Sequence, residues 1–162
     1  MRAIVFLGLL VLASAVSAAP PAPTSAADRA IYRAAGFTWS KGAWRSDCGD
    51  PGTLSYSGGT IERIGDINGD GLPEVLVIEG GTYCYGMAGT GFWLMSGQGG
   101  GNWKMMLQAT GIAEVLKTRG VAKWPDISMG GPGFCFPVRR WNGKAYVLHR
   151  FEYEGKRCRR SM

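Results

Sequence analysis

From residue 37 onward the chain alternates short apolar runs with glycine, asparagine, aspartate and serine, a pattern typical of strands joined by tight turns. The connections between these runs are short, which favours antiparallel pairing. Asn142-Gly143 predicts a two-residue hairpin turn, because both central positions of such a turn favour positive φ. Six strands are predicted: Thr60–Ile64, Glu74–Ile78, Phe92–Ser96, Trp103–Gln108, Phe134–Arg140 and Lys144–Tyr153.

Two segments carry helical signals. Ser25 followed by Asp28 is a variant of the capping box and predicts a helix that runs to Ala35, where Gly36 stops it. Apolar side chains at helical spacing would let this helix pack on a sheet. A second, short helix is predicted over Ile112–Thr118.

A weak internal repeat, with an offset of about fifty residues, organises the strands. Pro73-Glu74-Val75-Leu76, Gly80-Gly81 and Cys84-Tyr85 are matched by Pro125-Asp126-Ile127-Ser128, Gly130-Gly131 and Cys135-Phe136. This offset is close to the period of propeller blades, but two copies cannot close a propeller. The predicted fold class is therefore mainly β with one N-terminal helix. We expect two blade-like antiparallel β-meanders packed together, with pseudo-repeats at about 60–110 and 120–155 and the helix covering one side.

The first nineteen residues predict an export signal. A positive charge at Arg2 precedes the apolar run Ile4–Ala13, and small residues follow as far as Ala19. This order is that of a secretory signal peptide, and the apolar run is too short to span a bilayer. Cleavage is predicted after Ala18 or Ala19, which leaves a flexible leader at 20–25 and one β-rich domain at 26–160. The expected location is the periplasm or the exterior.

The cysteines agree with export. Cys48, Cys84, Cys135 and Cys158 form an even set, which predicts two disulfides in an exported chain. Metal binding by cysteine is disfavoured because the chain contains a single histidine. Three pairings are open. We favour Cys48 with Cys84 and Cys135 with Cys158, since each closes a local loop.

Composition narrows the class of protein and its partners. Cleavage would leave 143 of the 162 residues, and 46% hydrophobic against 19% charged residues excludes disorder for most of the chain. The net charge of +6 suits an anionic partner, such as an envelope glycan or an acidic protein, and does not indicate nucleic acid. No second apolar run is long enough for a membrane helix, so no transmembrane segment is expected.

One sequence motif has the pattern of a metal-binding loop. In the loop from Asp66 to Glu74, oxygen-bearing side chains stand at positions 1, 3, 5 and 9, and a glycine stands at position 6. Calcium takes six to eight oxygen ligands, and this spacing directs alternate side chains to one centre. An EF-hand would need glutamate at position 12, where Val77 stands. The predicted ligands of one calcium ion are the side chains of Asp66, Asn68, Asp70 and Glu74 and the carbonyl of Leu72.

This nine-residue pattern followed by a strand resembles the calcium loop of FG-GAP or VCBS repeats, which occur in integrin-type propellers. The resemblance implies side-chain ligands at Asp66, Asn68, Asp70 and Glu74. The ninth residue of those loops is usually aspartate, so Glu74 is a departure. The second repeat copy lacks the loop, and at most one such site is therefore expected. More broadly, the chain resembles small exported bacterial proteins.

The remaining candidates predict no catalytic residue. His149, the only histidine, shares a strand face with Val147 and Phe151 by alternation and is predicted to be a structural residue on an inner or half-buried face. Most of the six tryptophans are expected in the core. The predicted function is that of an exported, calcium-stabilised β-module with a non-enzymatic binding role at the cell envelope. The alternative is a small envelope hydrolase or a hydrolase inhibitor. An exposed aromatic platform near basic residues would favour binding, and a deep cleft with a buried carboxylate beside His149 would favour catalysis.

Overall fold

The computed structural model describes residues 24–159, so the predicted signal peptide and most of the predicted leader lie outside the described residues. The helices are α1 (Ala26–Ala34) and α2 (Thr82–Tyr85), and two 3₁₀ turns occupy Gly86–Ala88 and Val121–Lys123. The strands are β1 (Thr38–Ser40), β2 (Ala43–Arg45), β3 (Ser57–Gly65), β4 (Glu74–Gly80), β5 (Thr90–Gly97), β6 (Trp103–Thr110), β7 (Ile112–Arg119), β8 (Pro125–Gly130), β9 (Phe136–Trp141), β10 (Tyr146–Tyr153) and β11 (Lys156–Arg157).

The predicted β-rich class is confirmed. Strands β3 to β6 form one antiparallel meander in chain order, and strands β7 to β11 form a second. Strands β1 and β2 form a separate hairpin. The two repeat copies lie at corresponding points, since Glu74 opens β4 and Asp126 is the second residue of β8.

The first meander is covered on one face by α1. This helix begins as predicted, because Ser25 caps it and the Ser25 Oγ accepts a hydrogen bond from the Asp28 N–H at 3.0 Å. The buried face of α1 presents Ile31 and Tyr32 to the sheet. The cluster under the helix is completed by Ala35, Phe37, Trp44, Val75, Val77, Trp93 and Met95.

The opposite face of the first meander packs on the second meander. The first meander contributes Leu76, Phe92, Leu94 and Leu107, and the residues facing them are Trp124, Ile127, Met129, Trp141 and Tyr146. Strands β4 and β5 are therefore apolar on both faces, which explains their continuous apolar sequence. Four of the six tryptophans are buried, as expected, while Trp103 is half-buried and Trp39 is 57% exposed.

The predicted helix over Ile112–Thr118 is wrong, because this segment is strand β7. Its backbone pairs with β8, from Ile112 opposite Gly130 to Val115 opposite Ile127. Strand pairing overrides a weak local preference when a neighbouring strand offers a full ladder of hydrogen bonds. Gly111 makes the sharp corner from β6 into β7 at φ 120°, where a side chain would meet the carbonyl oxygen of Gly130.

The predicted two-residue turn at Asn142-Gly143 is also wrong. Trp141 pairs with Tyr146, so the turn comprises four residues. The Asn142 Oδ1 accepts hydrogen bonds from the N–H groups of Lys144 and Ala145 at 2.9 and 2.8 Å. The asparagine side chain therefore closes a wider turn than the dipeptide alone predicts.

The inner-face prediction for His149 is contradicted as well. The register of β10 against β9 shifts between Leu148 and Arg150, so His149 lies in a β-bulge and is exposed. A bulge inserts one residue and interrupts the alternation of faces on which the prediction relied.

The cysteines form two pairs at disulfide distance, and these are the favoured pairs. Cys48 lies opposite Cys84, with their Cα atoms 5.8 Å apart, and Cys135 lies opposite Cys158 at 5.7 Å. Within residues 24–159, no helix is both long and apolar enough to cross a membrane.

Candidate functional site

The Asp66–Glu74 loop joins β3 to β4 and folds around the Asp66 carboxylate. That carboxylate accepts hydrogen bonds from the backbone N–H groups of Gly69, Asp70 and Gly71 at 2.7, 3.2 and 2.9 Å. Positive φ angles of 81° at Gly69 and 87° at Gly71 allow the chain to turn this tightly. The N–H groups, led by that of Gly71, hold the pKa of Asp66 below its usual value.

The next two predicted ligands bond to each other. Asn68 Nδ2 donates to Asp70 Oδ2 at 3.0 Å, and the Asp70 N–H donates to Asn68 Oδ1 at 2.8 Å. The Leu72 N–H donates to Asp70 Oδ1 at 2.8 Å. Arg119 of β7 donates to the carbonyl of Ile67 at 2.7 Å. These bonds order the loop internally and tie it to the second meander.

Glu74, the last predicted ligand, lies at the base of the loop and is fully buried. One carboxylate oxygen accepts a hydrogen bond from the Ile67 N–H at 3.0 Å, and the other accepts one from the Ser96 hydroxyl at 3.1 Å. Burial raises the pKa of Glu74, and the negative charges of Asp70 and Asp66 raise it further. No basic side chain within residues 24–159 forms an ion pair with it.

The predicted ligand atoms of the loop are of the chemical type that calcium binds, but their side chains do not converge on one point. In the described part of the chain, no three His, Cys, Asp or Glu side chains converge as metal ligands. Asp66 is bonded to backbone amides and Asp70 to Asn68, while Glu74 lies beneath them. Every predicted donor is an oxygen atom, which is the ligand chemistry that calcium prefers. Calcium binding therefore stays a prediction.

The second repeat copy holds a buried carboxylate in a different way. Asp126 is fully buried on β8, and Arg140 of β9 donates to both of its oxygens at 2.8 and 2.9 Å. Arg150 of β10 and the Thr118 hydroxyl of β7 each donate to Oδ2 at 2.6 Å. Burial raises the pKa of Asp126, but the hydrogen bonds from Arg140, Thr118 and Arg150 outweigh it and hold the pKa well below its usual range.

The second meander is strongly curved around Asp126. Thr118 and Arg150 stand on strands with two others between them, yet Arg150 Nη2 donates to Thr118 Oγ1 at 3.1 Å. Asp126 and its neighbour Ile127 point to opposite faces of β8, because side chains alternate along a strand. Ile127 fills the core between the meanders, so the Asp126 cluster occupies the outer face.

An open pocket of about 530 Å³ lies on this outer face. Its ionisable lining residues are Lys117, Arg140, His149, Arg150, Glu152 and Arg157, and this set is called the basic pocket below. Its four Lys and Arg cations face two carboxylates, those of Glu152 and the underlying Asp126, which leaves two net positive charges. The basic pocket can attract an anion and present several N–H donors to it.

His149 borders the basic pocket without a hydrogen bond to a carboxylate among the described residues. Burial and the positive charge of Arg140 lower the pKa of His149. Glu152, the carboxylate that lines the same pocket, pairs with Arg150 at 2.7 Å. The histidine therefore lacks the oriented acid partner that a catalytic base normally has.

A third buried carboxylate is structural. Glu79 of β4 accepts hydrogen bonds from the Ser46 N–H, the Ser46 hydroxyl and the hydroxyls of Tyr56 and Tyr85. Burial raises the pKa of Glu79, but these hydrogen bonds outweigh it and hold the pKa below its usual value. The network ties the segment after β2 to the first meander, and its polar groups are paired.

The sequence prediction missed the basic pocket. One signal was the repeat, in which Asp126 lies in an apolar stretch and aligns with Glu74 of the first copy. Nothing in the spacing of Thr118, Arg140 and Arg150 indicates that strand curvature brings them to one carboxylate.

No family model, curated protein or solved structure matches this chain. The resemblance of the Asp66–Glu74 loop to FG-GAP or VCBS repeats therefore rests on the loop and the internal repeat alone. Among the described residues, the loop and the basic pocket are the sites from which we infer a function.

Proposed function

We propose that this chain is an exported, calcium-stabilised β-module with a non-enzymatic binding role at the cell envelope. The proposal depends above all on the contrast between the two repeat copies. Asp126 is neutralised by Arg140 and Arg150, whereas the equally buried Glu74 has no basic partner within residues 24–159. A buried carboxylate without a cation is costly, and a calcium ion held at the adjacent loop would supply the positive charge.

The chain would hold calcium through Asp66, Asn68, Asp70, Glu74 and the carbonyl of Leu72. Glycines at positions 4 and 6 of the loop permit the close turn that such binding requires. Glu74 is itself the first residue of β4, so binding there would stabilise a central strand. Folding and calcium binding would then be linked.

Binding, and not catalysis, is favoured for the basic pocket. Asp126 accepts four hydrogen bonds and stays ionised, so it has no spare capacity to move a proton. The net positive charge suits an anionic partner such as an envelope glycan or an acidic protein. The predicted signal peptide and the two cysteine pairs support action outside the cytoplasm.

The alternative is a small envelope hydrolase or a hydrolase inhibitor. One observation favours the hydrolase, since His149 borders a pocket that contains Glu152 and covers Asp126. Both carboxylates are already paired with arginine, however, and neither orients the imidazole among the described residues.

Affinity capture from the native envelope tests the proposal. The immobilised mature chain is incubated with envelope extract in calcium and, separately, in a chelator, with Asp70→Ala as the ligand-deficient variant. We expect a retained envelope molecule that is released by the chelator and is bound poorly by Asp70→Ala. Absence of any retained molecule contradicts the binding role, and calcium-independent retention contradicts the calcium requirement. Progressive cleavage of the retained molecule that stops in His149→Ala would instead establish the hydrolase.

A further inference from the structure

We propose that the basic pocket binds the phosphate monoester group of a sugar-sized ligand. This inference deepens the proposed binding role, on which it rests, by naming the site and the ligand chemistry. It draws on the charge, the fixed geometry and the volume of the basic pocket, none of which involves the Asp66–Glu74 loop.

The net charge of the pocket and the spread of its cations over several strands favour a phosphate ligand over a carboxylate. Lys117, Arg140, Arg150 and Arg157 stand on four different strands, so their positive groups surround the pocket. A phosphate monoester carries close to two negative charges at neutral pH and has three outward oxygens, which match two net positive charges from several directions. A carboxylate carries one charge in a plane, and one guanidinium fork satisfies it.

The arginine at the base of the pocket is held rigidly. Arg150 donates to Asp126, Glu152 and Thr118 at 2.6, 2.7 and 3.1 Å, and only 11% of its side chain is exposed. Arg140 donates hydrogen bonds to Asp126 through Nε and Nη2. Its Nη1 has no hydrogen-bond partner within residues 24–159. The Arg140 side chain is 32% exposed and lines the pocket, so we expect its remaining N–H groups to be available to a ligand. Pre-ordered donors reduce the entropy lost on binding.

Two further cations complete the site at its rim. Lys117 and Arg157 are exposed, and neither forms an ion pair in the described part of the chain. Their flexible side chains can close on a ligand that the arginine pair has already placed. They are also the positions at which charge can be removed without breaking the buried Asp126 cluster.

The volume indicates a ligand larger than a bare ion. About 530 Å³ lies within the range of small-molecule sites, and Leu116 and Gly155 add uncharged lining. A sugar ring attached to the phosphate would occupy this remaining space. Inorganic phosphate would fill only part of it and should bind more weakly.

Isothermal titration calorimetry of the mature chain with glucose 6-phosphate tests this inference. Inorganic phosphate, glucuronate and glucose are titrated for comparison. We expect glucose 6-phosphate to bind at least tenfold more tightly than each of the three. Lys117→Gln and Arg157→Gln should each weaken its binding by about three- to tenfold, because each removes one charged donor. Lys156→Gln is the matched control, since Lys156 adjoins Arg157 on β11 but does not line the pocket.

Several outcomes would overturn the inference. These are the absence of glucose 6-phosphate binding, equal binding of inorganic phosphate or glucuronate, and equal weakening by Lys156→Gln. The titrations are run in calcium and in a chelator, because the two proposals can fail separately. Loss of phosphate binding beside a normal calcium response overturns only the ligand assignment. Phosphate binding in a chain that does not respond to calcium overturns only the calcium part of the proposed function.

Discussion

Calcium should raise the thermal stability of this protein through the Asp66–Glu74 loop. The perturbation is a titration of the metal-free mature chain with calcium. In the metal-free chain the buried Glu74 lies beside Asp70 and Asp66, whose negative charges raise its pKa, and no described basic group offsets them. An added dication reduces this repulsion and anchors the start of β4.

The size of the effect follows from linkage. Free calcium at about 100 times its dissociation constant stabilises the folded state by about 2.7 kcal/mol. A domain of this length gains about 3 to 5 °C in Tm for each kcal/mol. The expected rise is therefore about 8 to 13 °C. Magnesium should produce a smaller rise, because it prefers tighter octahedral geometry and keeps its waters.

Differential scanning calorimetry with three variants assigns the effect to this loop. Asp70→Ala removes a central ligand and should abolish the calcium-dependent rise. Glu74→Gln removes the buried charge, and its amide can accept from the Ile67 N–H through Oε1 and donate to the Ser96 hydroxyl oxygen through Nε2, so its metal-free Tm should equal or exceed that of the wild type. Glu62→Gln changes an exposed carboxylate on β3 and should respond to calcium like the wild type.

Two results would refute this reasoning. An unchanged Tm across the calcium titration and the chelator control would leave the loop as a polar turn held by its own hydrogen bonds. A calcium response that survives Asp70→Ala would place any bound ion elsewhere.

Two further predictions concern the Asp126 cluster and the Cys48–Cys84 pair. Asp126→Asn leaves Arg140 without a counter-charge and leaves Arg150 with Glu152 alone, so urea unfolding should show a loss of about 3 to 5 kcal/mol, whereas the exposed control Asp47→Asn should change little. Because the folded pKa of Asp126 is depressed, its stabilisation should be constant from about pH 5 to 8 and decline as the pH falls below the usual value of 3.8, and a difference that declines above pH 5 would contradict the assignment. Replacing Cys48 and Cys84 together with alanine should cost about 3 to 4 kcal/mol, since the cross-link spans 36 residues. Non-reducing peptide mapping should recover Cys48 joined to Cys84, and a peptide joining either to Cys135 would contradict the pairing.

The sequence predicted the meanders because their central strands are apolar on both faces. Val75 and Val77 face α1 while Leu76 faces the second meander, and this double burial produces a run that no polar residue interrupts. The start of helix α1 could also be predicted from the sequence, since Ser25 and Asp28 make a local hydrogen bond that needs no tertiary partner. Strand β7 could not be predicted from the sequence, because its conformation depends on pairing with β8.

The two candidate sites differ in the same way, since one was predicted from the sequence and the other was not. The predicted calcium ligands are contiguous in sequence, so their spacing could be recognised before any fold was known. The Asp126 cluster draws on four strands and on a curvature that brings β7 to β10. The bulge at His149 depends likewise on how β10 pairs with β9. Such features arise from pairing between distant segments, and spacing along one segment does not encode them.

The two repeat copies each bury a carboxylate, and they differ in the groups that compensate its negative charge. Each places a carboxylate at the first or second residue of a buried strand, and removing that charge from water costs several kcal/mol unless a cation compensates. In the second copy, β9 and β10 supply two arginines, and the carboxylate in turn fixes those arginines beneath an open pocket. In the first copy, the Ser96 hydroxyl and the Ile67 N–H donate to the carboxylate, and the proposed calcium ion would supply the compensating charge. On the functions proposed here, the first copy would make stability depend on external calcium, and the second would hold a preformed binding site in the domain that calcium stabilises.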